Sequence, residues 1–175
     1  RQGLLAPGES IPAALGFEGS FAPRDLPRSA LRAFGANCMA WPAVIGMGFL
    51  SGVLFGGGRA LDNSTAAYLV TSQDAAATLA LFGAAALLAP LFEEPLFRGF
   101  LYGRLRRRMP PGTAALASGL VFGAAHMSLP EFLPLAALGY TLAIVYERSG
   151  DLAVPVLAHA LWNAGNGAAL LLVFG

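Results

Sequence analysis

Five long apolar segments divide the sequence, and they lie at residues 31–55, 75–102, 112–127, 129–146 and 152–174. In the first of them Arg32 is the only charged residue, and at about 1.5 Å of rise per residue its length is sufficient for a hydrocarbon core of about 30 Å. Charged residues make up 12% of the chain, against roughly a quarter in soluble domains, so the chain lacks the charged surface that keeps a protein dispersed in water. The sequence therefore predicts an all-α, multi-pass transmembrane helical bundle with about five spans.

The N-terminal part of the chain differs from the rest in composition. Prolines, glycines and scattered charges interrupt any regular helix in residues 1–30, where the prolines are Pro7, Pro12, Pro23 and Pro27. We therefore expect a peripheral N-terminal arm at residues 1–30 and a transmembrane domain at residues 31–175.

The basic residues predict an orientation, because cytoplasmic loops of membrane proteins carry an excess of Lys and Arg. With the N-terminus in the cytoplasm, five spans put most arginines on the cytoplasmic side and Arg59 alone on the other; the cytoplasmic ones are Arg24, Arg28, Arg32, Arg104, Arg106, Arg107, Arg108 and Arg148. The Ala-, Gly- and Arg-rich composition favours a bacterial protein. We expect an integral protein of the bacterial inner (plasma) membrane.

Composition also limits the partners. The net charge is +1 and the arginines form short clusters, so the chain has no extended basic face for nucleic acid. Cys38 is the single cysteine, which excludes a disulfide framework and a thiolate metal cluster. Membrane lipid is the partner that the composition predicts.

A few polar side chains interrupt the apolar segments at one depth. Ionisable residues inside a membrane are costly, so they usually face the interior of a bundle and serve a function. Measured along each helix, they lie about 10–20 Å from the predicted cytoplasmic ends; they are Glu93 in the second segment, His126 in the third, and His159 and Asn163 in the fifth. Taken singly, each is also explained as an interhelical hydrogen bond. Their common depth favours one shared site.

The adjacent carboxylates Glu93 and Glu94 are expected to play different parts, because they are about 100° apart around a helix. Glu94 and Arg98 are four residues apart in the favourable order for an ion pair, which predicts structural support. Glu93 has no cation at the third or fourth following position, so its partner is expected to come from another helix, with the two histidines as candidates. A carboxylate shielded from bulk water suits a general base that takes a proton from water.

The fifth segment supplies two hydrogen-bond donors on one face, since His159 and Asn163 are four residues apart. Two donors directed at one point can stabilise an oxyanion, as the tetrahedral intermediate of amide hydrolysis requires. Phe122 shares a face with His126 and is expected to wall the pocket. Trp41 and Trp162 are expected to pack or to anchor at the interface, and the lining of a substrate groove is the alternative for both.

Three short motifs in this order resemble those of the CPBP family of intramembrane peptidases, which includes CAAX prenyl endopeptidases and bacterial relatives linked to bacteriocin processing and immunity. The motifs here are Glu93-Glu94-Pro95-Leu96-Phe97-Arg98, Phe122-Gly123-Ala124-Ala125-His126 and His159-Ala160-Leu161-Trp162-Asn163. The resemblance implies that Glu93 and His126 activate the attacking water, that His159 and Asn163 form the oxyanion hole, and that Glu94 and Arg98 support the site. It also implies about eight helices, so we expect this chain to be a shortened or trimmed form.

The resemblance implies an endopeptidase that hydrolyses a peptide bond in a membrane-anchored or C-terminal segment of a substrate protein. A metal-free reaction is preferred and no cofactor is expected; zinc held by Glu93, His126 and His159 is the alternative, although these residues lack the local spacing of known zinc peptidases. Two other functions remain open from the residues alone. One is a catalytically inactive membrane binding or immunity module, and the other is a small transporter whose buried Glu and His relay protons.

Overall fold

A computed structural model describes residues 8, 10–17, 20–55, 68 and 71–174. Five main helices follow one another, and they are α1 (Leu26–Phe55), α2 (Ala75–Arg106), α3 (Pro111–Ala125), α4 (Leu129–Ser149) and α5 (Ala153–Phe174). A single helical turn, Ile11–Ala14, precedes α1. The described residues contain no strand, and the predicted all-α bundle is confirmed. Arg59, on which part of the orientation argument rests, lies outside the described residues.

Four of these helices, α1, α2, α4 and α5, are long and apolar enough to cross a membrane, while α3 is a shorter apolar helix of 15 residues. The first helix begins at Leu26 instead of Leu31. Pro27 lies in its first turn, where the missing N–H needs no acceptor, and the Asp25 carbonyl accepts the N–H of Ser29. Residues 26–30 therefore belong to α1, and the division into an arm and a transmembrane domain stays a prediction.

The distribution of charge across the bundle is the reverse of that in a soluble protein. The side chains of Glu94 and Arg98 are completely buried, whereas large apolar side chains such as Phe49, Leu79 and Phe92 are more than 70% exposed on the outer surface. In lipid, apolar side chains are favourable on the outer surface, whereas charged side chains are costly there and pair in the interior of the bundle. The protein is an integral membrane protein.

Close packing of α3 against α4 brings the helix that carries the second motif into the bundle. A Cβ atom at Gly119 or Gly123 would overlap the backbone of α4, and one at Gly139 would overlap Gly119 and Phe122. Small residues spaced by four are typical of membrane helices whose backbones approach closely. Phe122 is thereby held at the centre of the bundle.

The chain before α1 packs across the ends of three helices. The Leu15 carbonyl lies against Gly99 of α2, and Gly16, whose φ is +79°, lies under the Tyr146 hydroxyl of α4. The Ser20 hydroxyl accepts the backbone N–H of Leu152 just before α5, at 2.8 Å. This segment therefore ties the N-terminal arm to the ends of α2, α4 and α5.

Replacing Gly99 by Ala should release the arm. The new Cβ atom would overlap backbone atoms of Leu15, and such an overlap costs about 1–3 kcal/mol. We expect trypsin cleavage after Arg24 to become about tenfold faster, as followed by mass spectrometry of the digest. Gly103→Ala, on the same helix, is the matched control, because its Cβ atom would meet nothing closer than an oxygen at 4.0 Å. Equal cleavage of the two variants would show that the arm does not depend on this contact.

Candidate active site

The helix that carries both glutamates is irregular on each side of them. Two π-helical stretches, Ala84–Leu88 and Pro95–Tyr102, flank the segment Ala89–Glu94. Pro90 and Pro95 have no N–H to donate along the helix, and wide π turns are one way in which a helix accommodates this loss. The irregular geometry leaves backbone carbonyls of α2 available to side chains from other helices.

Arg98, Glu94 and His159 form a buried chain of polar contacts. The Arg98 Nη1 atom lies 2.9 Å from Glu94 Oε1, and Glu94 Oε1 also accepts from His159 Nδ1 at 2.7 Å. Arg98 Nη2 donates to the Gly139 carbonyl at 3.3 Å, and the guanidinium stacks over the ring of Phe122 at 4.6 Å. The Arg98–Glu94 contact is an ion pair without good hydrogen-bond geometry at Nη1, and Arg98 Nε makes no hydrogen bond among the described residues.

Glu93 stands apart from this chain although it is the neighbouring residue. Its Oε2 atom is buried and has no hydrogen-bond partner within the described part of the protein, and it lies 4.0 Å from Nε2 of His159. The side chain as a whole is 31% exposed, so the other part of the carboxylate reaches the surface of the bundle. His159 therefore lies between the two glutamates, bonded to Glu94 and facing Glu93.

The hydrogen bond to Glu94 determines that Nδ1 of His159 carries a proton. A carboxylate paired with Arg98 can only accept, so Nδ1 of His159 carries the proton that is donated. In a neutral ring Nε2 then holds a lone pair towards Glu93. In an imidazolium both nitrogens donate, one to Glu94 and the other towards the space beside Glu93.

Phe122 connects the two histidines. Its ring is completely buried, with its centroid 4.9 Å from that of His126 and 5.6 Å from that of His159. Nδ1 of His126 lies 2.8 Å from the Phe122 carbonyl, which can only accept, so Nε2 of His126 is left with its lone pair. No hydrogen bond or ion pair joins His126 to Glu93 among the described residues. His126 is connected to the other site residues by its ring contact with Phe122.

Asn163 is directed at the first π-helical stretch. Its Nδ2 donates to the Ala85 carbonyl at 2.9 Å. Within α2 the Ala89 N–H is donated to Ala84 and Pro90 has no N–H, so Ala85 finds no donor at the fourth or fifth following residue. One N–H of the Asn163 amide is therefore already used, and the second is the one that remains for another acceptor.

Trp162, which the sequence offered as a weaker groove-lining residue, is buried against α1. Its ring centroid is 4.7 Å from that of Trp41, with the planes tilted by 44°. This contact is packing between helices, as expected for the pair.

A zinc site would require the side chains of Glu93, His126 and His159 to lie together. Among the described residues no three His, Cys, Asp or Glu side chains lie close enough together to hold a metal ion. His126 does not join Glu93 and His159 in one ligand group, and the metal-free reaction stays a prediction.

Sequence reasoning missed a polar residue of α1 that touches the helix of His159. Asn37 is buried, and its Nδ2 donates to the Ala158 carbonyl at 2.9 Å and to the Ala33 carbonyl at 3.1 Å. A lone asparagine in an apolar segment has no local pattern that would single it out.

Comparison with known proteins links this cluster to a family. A family model described as "Type II CAAX prenyl endopeptidase Rce1-like" matches residues 75–165, which contain all three motifs. The chain is 33% identical over 110 residues to a Bacillus subtilis (strain 168) protein named "Putative membrane peptidase YdiL", and the alignment covers 63% of this chain and 43% of that protein. It is 41% identical over 78 residues to an Escherichia coli "Uncharacterized 24.3 kDa protein", covering 42% of this chain and 36% of the relative. The chain spans less than half the length of these curated relatives, and no solved structure matches it.

Proposed function

This chain belongs to the family of type II CAAX prenyl endopeptidases described as Rce1-like, and we propose that it is an intramembrane endopeptidase in which Glu93 activates the attacking water. The observation that carries this proposal is the buried Oε2 atom of Glu93, which has no hydrogen-bond partner among the described residues and lies 4.0 Å from His159 Nε2. Two polar atoms at that separation make no direct hydrogen bond, but one water molecule can bridge them.

In the proposed reaction Glu93 takes a proton from this water while the water oxygen attacks the carbonyl carbon of the peptide. A C–O bond forms and the carbonyl oxygen becomes an oxyanion. When the tetrahedral intermediate collapses, the C–N bond breaks and the proton held by Glu93 passes to the leaving amine. His126 assists by accepting a hydrogen bond from the attacking water at Nε2, because its Nδ1 is already directed at the Phe122 carbonyl.

The oxyanion is stabilised by His159 and Asn163 in this scheme. His159 acts as an imidazolium that donates Nδ1–H to Glu94 and Nε2–H to the oxyanion, because a neutral ring with its proton on Nδ1 has no second donor. The buried Arg98 and Glu94 hold the ring in this orientation. Asn163 contributes the amide N–H that Ala85 does not use. Such donors are typically worth about 2.7–4 kcal/mol each in the transition state.

The two tasks of Asn163 can be separated by mutation. Asn163→Ala should lower kcat about 10²- to 10³-fold and should also destabilise the protein by about 1–3 kcal/mol, because the Ala85 carbonyl loses its donor. Adding Pro90→Ala supplies a backbone N–H within α2, so the double variant should regain stability but not activity. Thermal unfolding and steady-state cleavage of the three proteins measure these effects. Recovery of activity in the double variant would assign Asn163 a purely structural role.

The substrate is proposed to be a membrane-anchored or C-terminal peptide segment that approaches from the lipid. Glu93 is partly exposed, and its helix neighbours Phe92 and Leu96 present apolar side chains to the outside of the bundle. A lipid-anchored chain can therefore reach the carboxylate without leaving the membrane. We propose a bacterial inner membrane with the N-terminus in the cytoplasm, which is the orientation that the arginines favour, and the two relatives named above come from bacteria.

The test is cleavage of membrane-anchored peptides by the purified protein in liposomes, in ¹⁸O-labelled water and with or without a strong chelator. We expect products that carry one ¹⁸O at the new carboxyl end and a rate that the chelator does not change. A rate that the chelator abolishes would overturn the metal-free mechanism. Binding without cleavage would favour an inactive binding or immunity module, and proton flux without cleavage would favour a transporter.

A further inference from the structure

Helix α1 lies outside the segment that matches the family, which begins at residue 75, yet it contacts the helix that carries His159. We propose that Asn37 of α1 is a positioning residue for His159, holding the peptide group on which the imidazole is mounted. The expected effect of Asn37 on catalysis rests on the function proposed above. The expected effect of Asn37 on the position of His159 does not depend on that function.

The argument begins with the atoms that Asn37 contacts. Its Nδ2 donates to the Ala158 carbonyl at 2.9 Å, and this carbonyl belongs to the same planar peptide unit as the backbone nitrogen of His159. In α5 that carbonyl already accepts a helical N–H four residues on, so it does not need a second donor for its own stability. A buried amide directed at a satisfied carbonyl adds no missing bond, but it does restrict how α5 can shift or rotate.

Other contacts between α1 and α5 lie above and below this one. The Ser29 hydroxyl donates to Asp151 Oδ2 at 2.7 Å just before α5 begins, and the tilted Trp41 and Trp162 rings contact each other one turn beyond Asn37. Buried alanines between these points allow the backbones to approach closely; they are Ala33, Ala36 and Ala40. Helix α5 is thus held on one side by α1, while its His159 face contacts Glu94 of α2.

A small rotation of α5 would separate His159 from Glu94 and would change its distance from Glu93. Because the ring has one hydrogen bond of 2.7 Å and one gap of 4.0 Å, both the Glu94 bond and the space for water depend on that rotation. Displacements of about 1 Å at a catalytic group can cost about 10²-fold in rate. Asn37 therefore acts on the reaction through His159 and does not touch the reacting atoms.

The chain offers a matched control. Thr141 of α4 lines the same small groove as Asn37 and Ala158, but its hydroxyl donates within its own helix, to the Ala137 carbonyl at 2.9 Å. Thr141→Val removes a hydrogen bond from the groove without removing one that reaches α5. Asn37→Leu removes the bond to α5 with little change in shape.

A second variant, Asn37→Ser, keeps the test available if Asn37→Leu does not fold. In Asn37→Ser the hydroxyl can still donate to the Ala33 carbonyl within α1, as serines in helices commonly do, but it is too short to reach Ala158. If the bond across to α5 is what matters, Asn37→Ser should behave as Asn37→Leu does.

The experiment uses the two histidines of the chain as reporters. The full chain is labelled with ¹⁵N-histidine in nanodiscs, and the signals of the two imidazole rings are assigned with His126→Gln. We expect both Asn37 variants to move or broaden the His159 signals and leave those of His126 unchanged, while Thr141→Val moves neither. In the cleavage assay the Asn37 variants should lose about 10- to 100-fold in kcat with KM within about twofold.

The two measurements separate the two proposals. Unchanged His159 signals in folded Asn37 variants, or an equal change in Thr141→Val, would overturn the positioning role whatever the activity. If the wild-type protein cleaves no peptide but the His159 signals respond as expected, the positioning role stands and the proposed function fails.

Discussion

Glu93→Gln is expected to lower kcat for peptide cleavage by about 10²- to 10⁴-fold, the range that a positioned general base contributes. The glutamine matches the shape of the glutamate and keeps an oxygen that can accept a hydrogen bond. It cannot take a proton from water, so the attacking oxygen would have to carry that proton into the transition state. The measurement is steady-state cleavage of a membrane-anchored peptide, with KM expected to change little because the role proposed for Glu93 is to act on water.

Folding should not be the cause of this loss. Glu93 Oε2 has no hydrogen-bond partner within the described part of the chain, so replacing the carboxylate by an amide breaks no bond seen at that atom. We expect the unfolding midpoint of Glu93→Gln to equal or exceed that of the wild type. Glu131→Gln, the same chemical change in the first turn of α4, is the control and should keep full activity. Equal activity of Glu93→Gln and wild type would remove Glu93 from the mechanism.

The positions of the helices could be predicted because each depends on a local property, the length of an apolar segment. The predicted second segment began at Ala75, and α2 begins there too, where Asp74 accepts the N–H groups of Ala76 and Ala77. The end of α4 likewise follows from Gly150, whose φ of +62° is the left-handed conformation that glycine favours after a helix. Such signals lie within a few residues of the feature that they determine.

The contacts between the site residues could not be predicted, because they depend on how each helix is rotated about its own axis. No local sequence pattern determines that rotation. The common depth along the helices predicted that the glutamates lie near His159. Whether the imidazole ring contacts Glu93 or Glu94 depends on about 100° of rotation around the axis of α2. The use of one Asn163 N–H by Ala85 follows from Pro90 and from the π turn beside it. This hydrogen bond can be predicted only when α5 is known to lie against the first π-helical stretch of α2. The same holds for Asn37, whose role appears only when α1 is packed on α5.

The largest effect on stability is expected from Arg98→Met. This change leaves Glu94 as a completely buried carboxylate whose cation is gone, and breaking a buried ion pair by removing one partner costs about 3–5 kcal/mol. The methionine fills much of the space of the arginine stem and still packs against Phe122, so lost charge and not lost volume is the main change. Unfolding by SDS titration in mixed micelles should show the loss directly.

Two further proteins test that explanation of the Arg98→Met effect. The double variant Glu94→Gln/Arg98→Met contains neither buried charge, and removal of both partners of such a pair is often nearly neutral, so most of the stability should return. Its glutamine oxygen can still accept from His159 Nδ1, but it carries no charge to support an imidazolium, so activity should stay low. Arg106→Met removes the cation of the partly exposed pair with Glu147 and should cost only about 0–1 kcal/mol. If Arg98→Met were no more destabilising than Arg106→Met, the buried ion pair within α2 would contribute little to stability, and Arg98 would not be the residue that keeps Glu94 in place for His159.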